Sequence, residues 1–143
     1  MQQKTTLEWL LDEDQPSIRY LTLTTLLGRP EDDSEVESAK DMIAMKGWAA
    51  DILAQQDTAG WWVSDESLYR PKYQSTNWML LVLSDLGLTK ANPKIRKACE
   101  LWIRRFAKKD GGFSMEGMKK SHLCIVGNTA RALCNSATRI IPE

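Results

Sequence analysis

The sequence predicts an all-α protein, and three of its features indicate that fold class. A segment recurs at a fixed spacing of 51 residues, and an amphipathic pattern of helical period follows Pro93. No stretch alternates apolar and polar residues in the way a half-buried strand does. A fixed period near 50 residues is typical of one supersecondary unit stacked on its own copy. Tandem helical hairpins are therefore expected.

The recurring segment is 46–62, which aligns without a gap on 97–113. The register also persists through a variable loop, which chance matches rarely do. The matched pairs are Lys46 and Lys97, Gly47 and Ala98, Ile52 and Ile103, Gly60 and Gly111, Trp62 and Phe113, and, beyond the loop, Asn77 and Asn128. Each unit is predicted to contain an outer helix, a glycine and aromatic turn, a loop and an inner helix.

The N-terminal part predicts three elements. A short helix is expected over Thr6 to Leu11. Pro16 is expected to begin an inner helix that continues from Ser17 to Leu27. An outer segment is expected from Asp33 to about Ile43. The inner helix and the outer segment form a weaker third copy at an offset of 59, in which Gly28 corresponds to Gly87 and Asp33 to Asn92, and the short helix lies ahead of it.

The second half contains the clearest amphipathic helix, from Lys94 to Ala107. Asn92 and Pro93 supply an N-cap and a first-turn proline. The apolar face is predicted to consist of Ile95, Ala98, Cys99, Trp102 and Phe106. The preceding stretch from Thr76 to Leu86 is apolar on nearly every side, so an inner helix covered all round is expected, ending at Gly87.

These elements predict a single α-helical repeat domain over residues 1–143. It contains a degenerate repeat at about 16–45 and two clear repeats at 46–87 and 92–137. A chain of this length is able to bury a hydrophobic core of its own.

Composition argues against several classes of partner. Lys plus Arg and Asp plus Glu number 19 each, so no net charge attracts nucleic acid, and no nucleic-acid partner is expected. The longest apolar run, at 78–83, is too short to span a bilayer, and no secretory signal is evident at the N-terminus. A cytoplasmic location is expected. The three cysteines lack CxxC spacing and are interpreted as buried apolar residues.

The pattern of a basic residue, a small residue and an aliphatic residue followed by Gln56, Gly60 and Trp62 resembles the QW repeat of the terpene cyclase and protein prenyltransferase superfamily. Asp51 departs from the usual aromatic position. In the second copy Trp102 restores that aromatic residue, whereas Ala107 replaces the glutamine. The resemblance implies tandem hairpins of the (α/α) toroid type around an apolar cavity. Two clear units and a degenerate one would form an incomplete ring, or arc.

The resemblance also raises two kinds of catalytic group. Triterpene cyclases use a DxDD acid, but neither 12–14 (DED) nor 31–33 (EDD) is that motif, and both are predicted to cap helix N-termini. Prenyltransferases use an Asp-x-Cys zinc pair, and His122 and Cys124 lie in a similar place. Two ligands do not make a zinc site, so no cofactor is expected, with zinc as the alternative. No catalytic residue is assigned.

Two loops before the inner helices carry candidate ligand-binding residues. Stacked hairpins would bring both loops to one end of the arc, beside helix N-termini that attract anions. The candidates are Tyr69, Arg70, Lys72, Tyr73, Asn77, Trp78, Lys119, Lys120, His122 and Asn128. Solvated loop charge is the commoner explanation for the cations of these loops. Aromatic packing between hairpins is favoured over a ligand pocket for Trp48, Trp61, Trp62, Trp78 and Trp102.

The sequence therefore predicts a helical-repeat module without independent catalysis that binds an apolar ligand or a protein partner. The alternative is an isoprenoid-handling enzyme of the prenyltransferase or terpene cyclase type, truncated or completed by oligomerisation. Self-association through the C-terminal end is expected, most simply as a two-fold dimer, because no later hairpin covers the last inner helix. The apolar residues at that end are Ala130, Leu133, Cys134, Ile140 and Ile141.

Overall fold

A computed structural model of the chain describes residues 5–109, 111–115 and 120–136, with side chains as far as residue 133. Over these ranges the chain forms helices and no strand, which confirms the all-α prediction. The helices are α1 (Thr6–Leu10), α2 (Pro16–Leu21), a π-helical segment (Thr22–Leu26), α3 (Ser34–Met42), α4 (Gly47–Ala54), α5 (Thr76–Asp85), α6 (Pro93–Phe106) and α7 (Leu123–Ser136). Among the described helices, none is long and apolar enough to cross a membrane.

The chain divides into two compact units, Met1–Ala54 and Gln55–Glu143. The second contains all of the predicted repeat at 92–137. The division falls inside the predicted repeat at 46–87, so its outer helix α4 belongs to the first unit and its inner helix α5 to the second.

The first unit begins with a short helix that its own side chains close. Thr5 accepts a hydrogen bond from the Glu8 N–H, and the Glu8 carboxylate accepts one from the Thr5 N–H, forming a capping box. Helix α1 buries none of its residues, and the side chains of Leu7 and Trp9 are exposed.

The core of the first unit lies between α2, the π-helical segment and α3. Pro16 occupies the first turn of α2, where its missing N–H costs no helical hydrogen bond. The predicted helix over Ser17 to Leu27 is present as α2 and the π-helical segment together. Both α3 and α4 pack against α2. The buried apolar residues of the unit are Tyr20, Leu23, Val36, Ala39, Ile43, Ala49 and Leu53.

The two acidic clusters behave differently from each other. Asp33 caps α3 by accepting a hydrogen bond from the Glu35 N–H at 2.9 Å, as predicted. The capping prediction is wrong for the DED cluster, because Gln15 is the N-cap residue of α2 and makes no side-chain capping bond. Asp14 instead pairs with Lys46 at 2.6 Å. Helix α2 thus begins at Pro16 as predicted, but the carboxylates of 12–14 do not cap it.

Glu31, in the second cluster, has a role other than capping. It accepts hydrogen bonds from the Tyr20 hydroxyl at 2.8 Å and from the Lys40 ammonium at 2.9 Å. The hydrogen bond to Glu31 holds the pKa of Lys40 above its ordinary value, because it favours the charged ammonium. Glu31 therefore ties the segment before α3 to both α2 and α3.

In the second unit, α6 has the amphipathic character that its sequence predicts. The Asn92 side chain accepts from the N–H groups of Lys94 and Ile95, and Pro93 follows it in the first turn. All five predicted core residues of this helix are buried. Thr129 of α7 accepts a buried hydrogen bond at 2.9 Å from the Trp102 indole N–H, which satisfies the only polar atom of that side chain.

Helix α5 packs against both α6 and α7 and is the inner helix of the second unit. It ends in a Schellman motif: Leu88 donates to Leu83 O and Gly87 donates to Ser84 O, with φ of Gly87 at 92°. The expectation that this helix is covered all round is wrong on one side, because Val82 remains 40% exposed.

The aromatic residues are buried to different extents. Trp62 is 2% exposed, whereas its partner in the sequence alignment, Phe113, is half-buried. Trp102 is buried, Trp61 and Trp78 are half-buried, and Trp48 is 53% exposed. Packing therefore accounts for Trp62 and Trp102 but not for Trp48, whose interpretation as a packing residue is wrong.

Two turn hydrogen bonds recur at the spacing of 51 residues. Asp57 donates to Trp61 O and Lys108 donates to Gly112 O, each at 2.9 Å. Gly60 donates to Asp57 O at 2.9 Å, and its counterpart Gly111 donates to Lys108 O at 3.0 Å. In the first turn Gln56 also donates to the carbonyls of Gly60 and Lys94, a link that Ala107 lacks the side chain to make.

Candidate functional site

The loop before α5 brings three of the predicted ligand-binding residues together. The ring centroids of Tyr69 and Trp78 are 5.3 Å apart, and those of Tyr73 and Trp78 are 4.9 Å apart. Tyr73 is 73% exposed and has a φ of 65°, so most of its side chain remains in solvent although its ring lies beside Trp78. We call Tyr69, Tyr73 and Trp78 the aromatic cluster. Arg70 and Lys72 lie in the same loop and are exposed.

Backbone hydrogen bonds fix this loop to the start of α5. The Asn77 N–H donates to Leu68 O at 2.9 Å, and the Trp78 indole N–H donates to Tyr69 O at 3.0 Å. The N–H groups of Trp78 and Met79 are taken by Ser75 O. These donors are therefore not available to an anion, and the expectation that the start of α5 attracts one is wrong for them. Binding of an anion here would depend on Arg70 and Lys72.

Asn77 is placed differently from the loop residues. Its side chain is 3% exposed, and its Nδ2 has no hydrogen-bond partner within the described chain. Ser75 Oγ is also buried and also lacks a hydrogen-bond partner within the described chain. Asn77 is thus an interior residue at the start of α5 and is not a surface contact.

The second predicted loop is described only in part. Lys119 lies outside the described residues, Lys120 and His122 are exposed, and Asn128 is half-buried. Cys124 is also exposed, so its interpretation as a buried residue is wrong. The His122 N–H donates to Phe113 O at 3.2 Å. No hydrogen bond, ion pair or ring contact within the described ranges joins this loop to the aromatic cluster. Those ranges contain no group of three His, Cys, Asp or Glu residues arranged to hold a metal ion.

A groove that sequence reasoning missed lies between α6 and α7 in the second unit. Its volume is about 420 Å³. Its apolar lining residues, which we call its floor, are Cys99, Ile103 and Leu133, and its charged lining residues, which we call its rim, are Lys90, Arg96 and Glu100. Arg96 Nε donates to Lys90 O at 3.1 Å, which fixes the Arg96 side chain beside the Lys90 backbone. We call this feature the α6–α7 groove.

The sequence contains a signal for this groove. Ile103 is apolar but lies outside the run of core positions on α6, beside Arg96 and Glu100 on the helix surface, and it is 40% exposed. An apolar residue on a charged helix flank is uninformative alone, since single exposed apolar residues are common. Only the position of Leu133 of α7 across from it turns Ile103 into part of a groove.

The first unit has a groove of its own between α2 and α3, with a volume of about 360 Å³. Four of its nine lining residues are charged, and three of these form ion pairs: Arg19 with Glu35 at 3.3 Å, and Lys46 with Asp14 at 2.6 Å. Pro16, Ala39 and Met42 supply its apolar part. The α6–α7 groove has the more apolar floor.

Comparison of the sequence with protein-family models found no match, and comparisons with curated proteins and with solved structures found none either. The resemblance to the QW repeat therefore depends on the residues quoted for it.

Proposed function

We propose that the chain is a helical-repeat module that binds an apolar ligand or a protein partner and has no catalytic activity of its own. The observation that carries this proposal is the α6–α7 groove, whose floor of Cys99, Ile103 and Leu133 is apolar and open to solvent. Its volume lies within the roughly 300–1,000 Å³ typical of small-molecule sites.

The hairpin arrangement of the (α/α) toroid type is part of this proposal. The two shared turn hydrogen bonds at the offset of 51 support it, as do the positive φ values of Gly60 and Gly111, 103° and 82°. The degenerate repeat is supported by Gly28 and Gly87, which correspond at the offset of 59 and have φ of 64° and 92°. Corresponding glycines thus occupy the left-handed region that glycine alone enters at little cost.

Apolar ligand binding is tested with a fluorescent fatty acid and with a mass spectrum of ligand extracted from the purified chain. Ile103→Asp places a charge on the groove floor and is expected to weaken binding at least tenfold, because a carboxylate there must lose its hydration. Val82→Asp is the matched control, since Val82 and Ile103 are both 40% exposed on helices of the second unit. Equal binding by both variants contradicts the groove as the site.

The alternative is an isoprenoid-handling enzyme, and the aromatic cluster is the observation that favours it. Aromatic faces stabilise cations, and the adjacent Arg70 and Lys72 carry the charge that a diphosphate requires. Incubation with prenyl diphosphates and measurement of released diphosphate tests this alternative. Diphosphate release that is lost in Trp78→Ala would support the enzyme. If no diphosphate is released even by an oligomer of the chain, the alternative is contradicted.

A further inference from the structure

The balanced charge of the whole chain conceals an opposite charge on each of its two units. Residues 1–54 contain eleven acidic and five basic side chains, a formal charge of −6. Residues 55–143 contain eight acidic and fourteen basic side chains, a formal charge of +6. Such a division gives one chain two surfaces of opposite sign, and surfaces of opposite sign steer association.

In the first unit, the acids are in excess after internal pairing. Each of its four described cations pairs with an acid of the same unit: Arg19 and Arg29 with Glu35, Lys40 with Glu31, and Lys46 with Asp14. Glu37 and Asp41 on α3 are exposed, and within the described ranges neither forms an ion pair. They are four residues apart and so lie on one side of the helix.

The end of α3 also presents apolar side chains next to these acids. Met42 is 38% exposed and Met45 is 73% exposed. The Met45 N–H donates to Met42 O at 3.0 Å, so both methionines belong to the same turn. Methionine is flexible and polarisable and adapts to irregular apolar surfaces. The α3 end, defined as Glu37, Asp41, Met42 and Met45, is therefore both acidic and apolar.

The α6–α7 groove has the complementary chemistry. Lys90 and Arg96 are exposed on its rim, and neither forms an ion pair in the part of the chain that the structure describes. Glu100 is the one acid among the six lining residues. An acidic partner segment would meet two cations on the rim, and its apolar side chains would meet Ile103 and Leu133 on the floor.

We infer that the α6–α7 groove of one chain binds the α3 end of a second copy. The interface is head-to-tail, because each chain contributes a different surface to it. A two-fold contact made through the groove region alone would instead bring the basic rims of both chains together, and like charges repel. This inference identifies a partner for the proposed function and does not depend on whether the groove also takes a small apolar ligand.

The test uses the full chain and measures its mass by light scattering and sedimentation, at concentrations from about one to about a hundred micromolar. Assembly is expected at low salt and is expected to weaken as the salt rises towards about 0.5 M, because ions screen exposed charges. Lys90→Glu/Arg96→Glu changes the groove, and Glu37→Lys/Asp41→Lys changes the α3 end. Each double variant alone is expected to assemble at least about tenfold more weakly.

The decisive step mixes the two double variants. The first retains an intact α3 end and the second retains an intact groove, so their mixture is expected to recover assembly. Lys109→Glu/Lys120→Glu and Asp32→Lys/Asp51→Lys are the matched controls, since they change the net charge equally at exposed positions that line neither groove and do not belong to the α3 end. Both controls are expected to assemble as the unmodified chain does, and circular dichroism checks that all four variants are folded.

Three results would overturn the inference. They are an unmodified chain that is monomeric at every concentration at low salt, assembly that persists in both double variants, and a mixture that fails to recover assembly. A monomeric chain that still binds the fluorescent fatty acid would overturn only this inference and leave the proposed function in place. A chain that assembles but does not bind the fatty acid would overturn the apolar-ligand part of the proposed function and leave this inference in place.

Discussion

At the scale of single residues, two glycines that match in the sequence have different surroundings. Gly60 and Gly111 both have a positive φ, which costs any side chain that replaces them. A Cβ at Gly60 would lie 3.0 Å from Lys97 Cγ and 3.4 Å from the Lys97 carbonyl carbon, whereas a Cβ at Gly111 would meet nothing within 4 Å. Both positions therefore favour glycine for its backbone conformation, and Gly60 also lacks room for a side chain next to Lys97.

Gly60→Ala is expected to destabilise the chain more than Gly111→Ala does. Backbone strain applies to both and costs about 1–2 kcal/mol, and the close approach to α6 adds about 1 kcal/mol at Gly60 alone. Urea unfolding followed by circular dichroism measures the difference. Equal losses of stability would show that α6 moves away from the new methyl group at no cost.

Thr129→Val is expected to destabilise the chain by about 1–3 kcal/mol, because it keeps the shape of Thr129 and leaves the buried Trp102 indole N–H without an acceptor. The double variant Trp102→Phe/Thr129→Val removes donor and acceptor together. A double-mutant cycle over these changes measures the coupling between the two side chains. Additive losses would mean that the indole finds another acceptor.

At the scale of helices, the caps of α5 and α6 differ although both have suitable residues. Asn92 accepts two N–H bonds at the start of α6, whereas Ser75 begins α5 without a side-chain capping bond and with its buried Oγ unpartnered. A cap residue stabilises a helix only when it makes its bond. The first turn of α5 is instead joined to the preceding loop by the hydrogen bond from the Asn77 N–H to Leu68 O.

Asn92→Ala is therefore expected to cost about 1 kcal/mol, whereas Ser75→Ala is expected to be neutral or stabilising, because it removes a buried hydroxyl that lacks a partner. Chemical denaturation of the two variants under one condition provides the comparison. A clear loss of stability in Ser75→Ala would indicate that an ordered water satisfies this hydroxyl in solution.

At the scale of the whole molecule, the chain consists of two compact units whose charges are opposite. Gly47 provides a selective way to perturb the first. It has a φ of 73°, and a Cβ there would lie 2.8 Å from Gln15 Oε1 and 2.9 Å from Asp14 O. A side chain at this position would force α4 away from the segment that leads into α2.

Gly47→Ala is expected to increase hydrogen exchange in α2, α3 and α4 and to leave the protection of α6 unchanged, because local opening follows units of dense internal contact. Mass spectrometry of exchanged peptides resolves the two groups of helices. Equal loss of protection in both groups would show that the units unfold together.

Much of the helical structure could be predicted from local sequence. The buried face of α6, its Asn92 cap and the end of α5 at Gly87 all follow from periodicity and capping chemistry, which act within a few residues. The candidate site was less predictable. Tyr69, Tyr73 and Trp78 were foreseen individually, but their contact depends on the course of the loop before α5.

The sequence by itself determined that the chain is helical and which residues of α6 face the hydrophobic core. It also determined that a turn with a matching glycine recurs at a spacing of 51 residues. Only the tertiary structure decided that Ile103 faces Leu133 across a groove and that the boundary between compact units follows Ala54. That boundary separates a net charge of −6 from one of +6 within a neutral composition. The physical reason is range: helix period and capping act over a few residues, whereas grooves and charged surfaces depend on contacts between residues far apart in the chain.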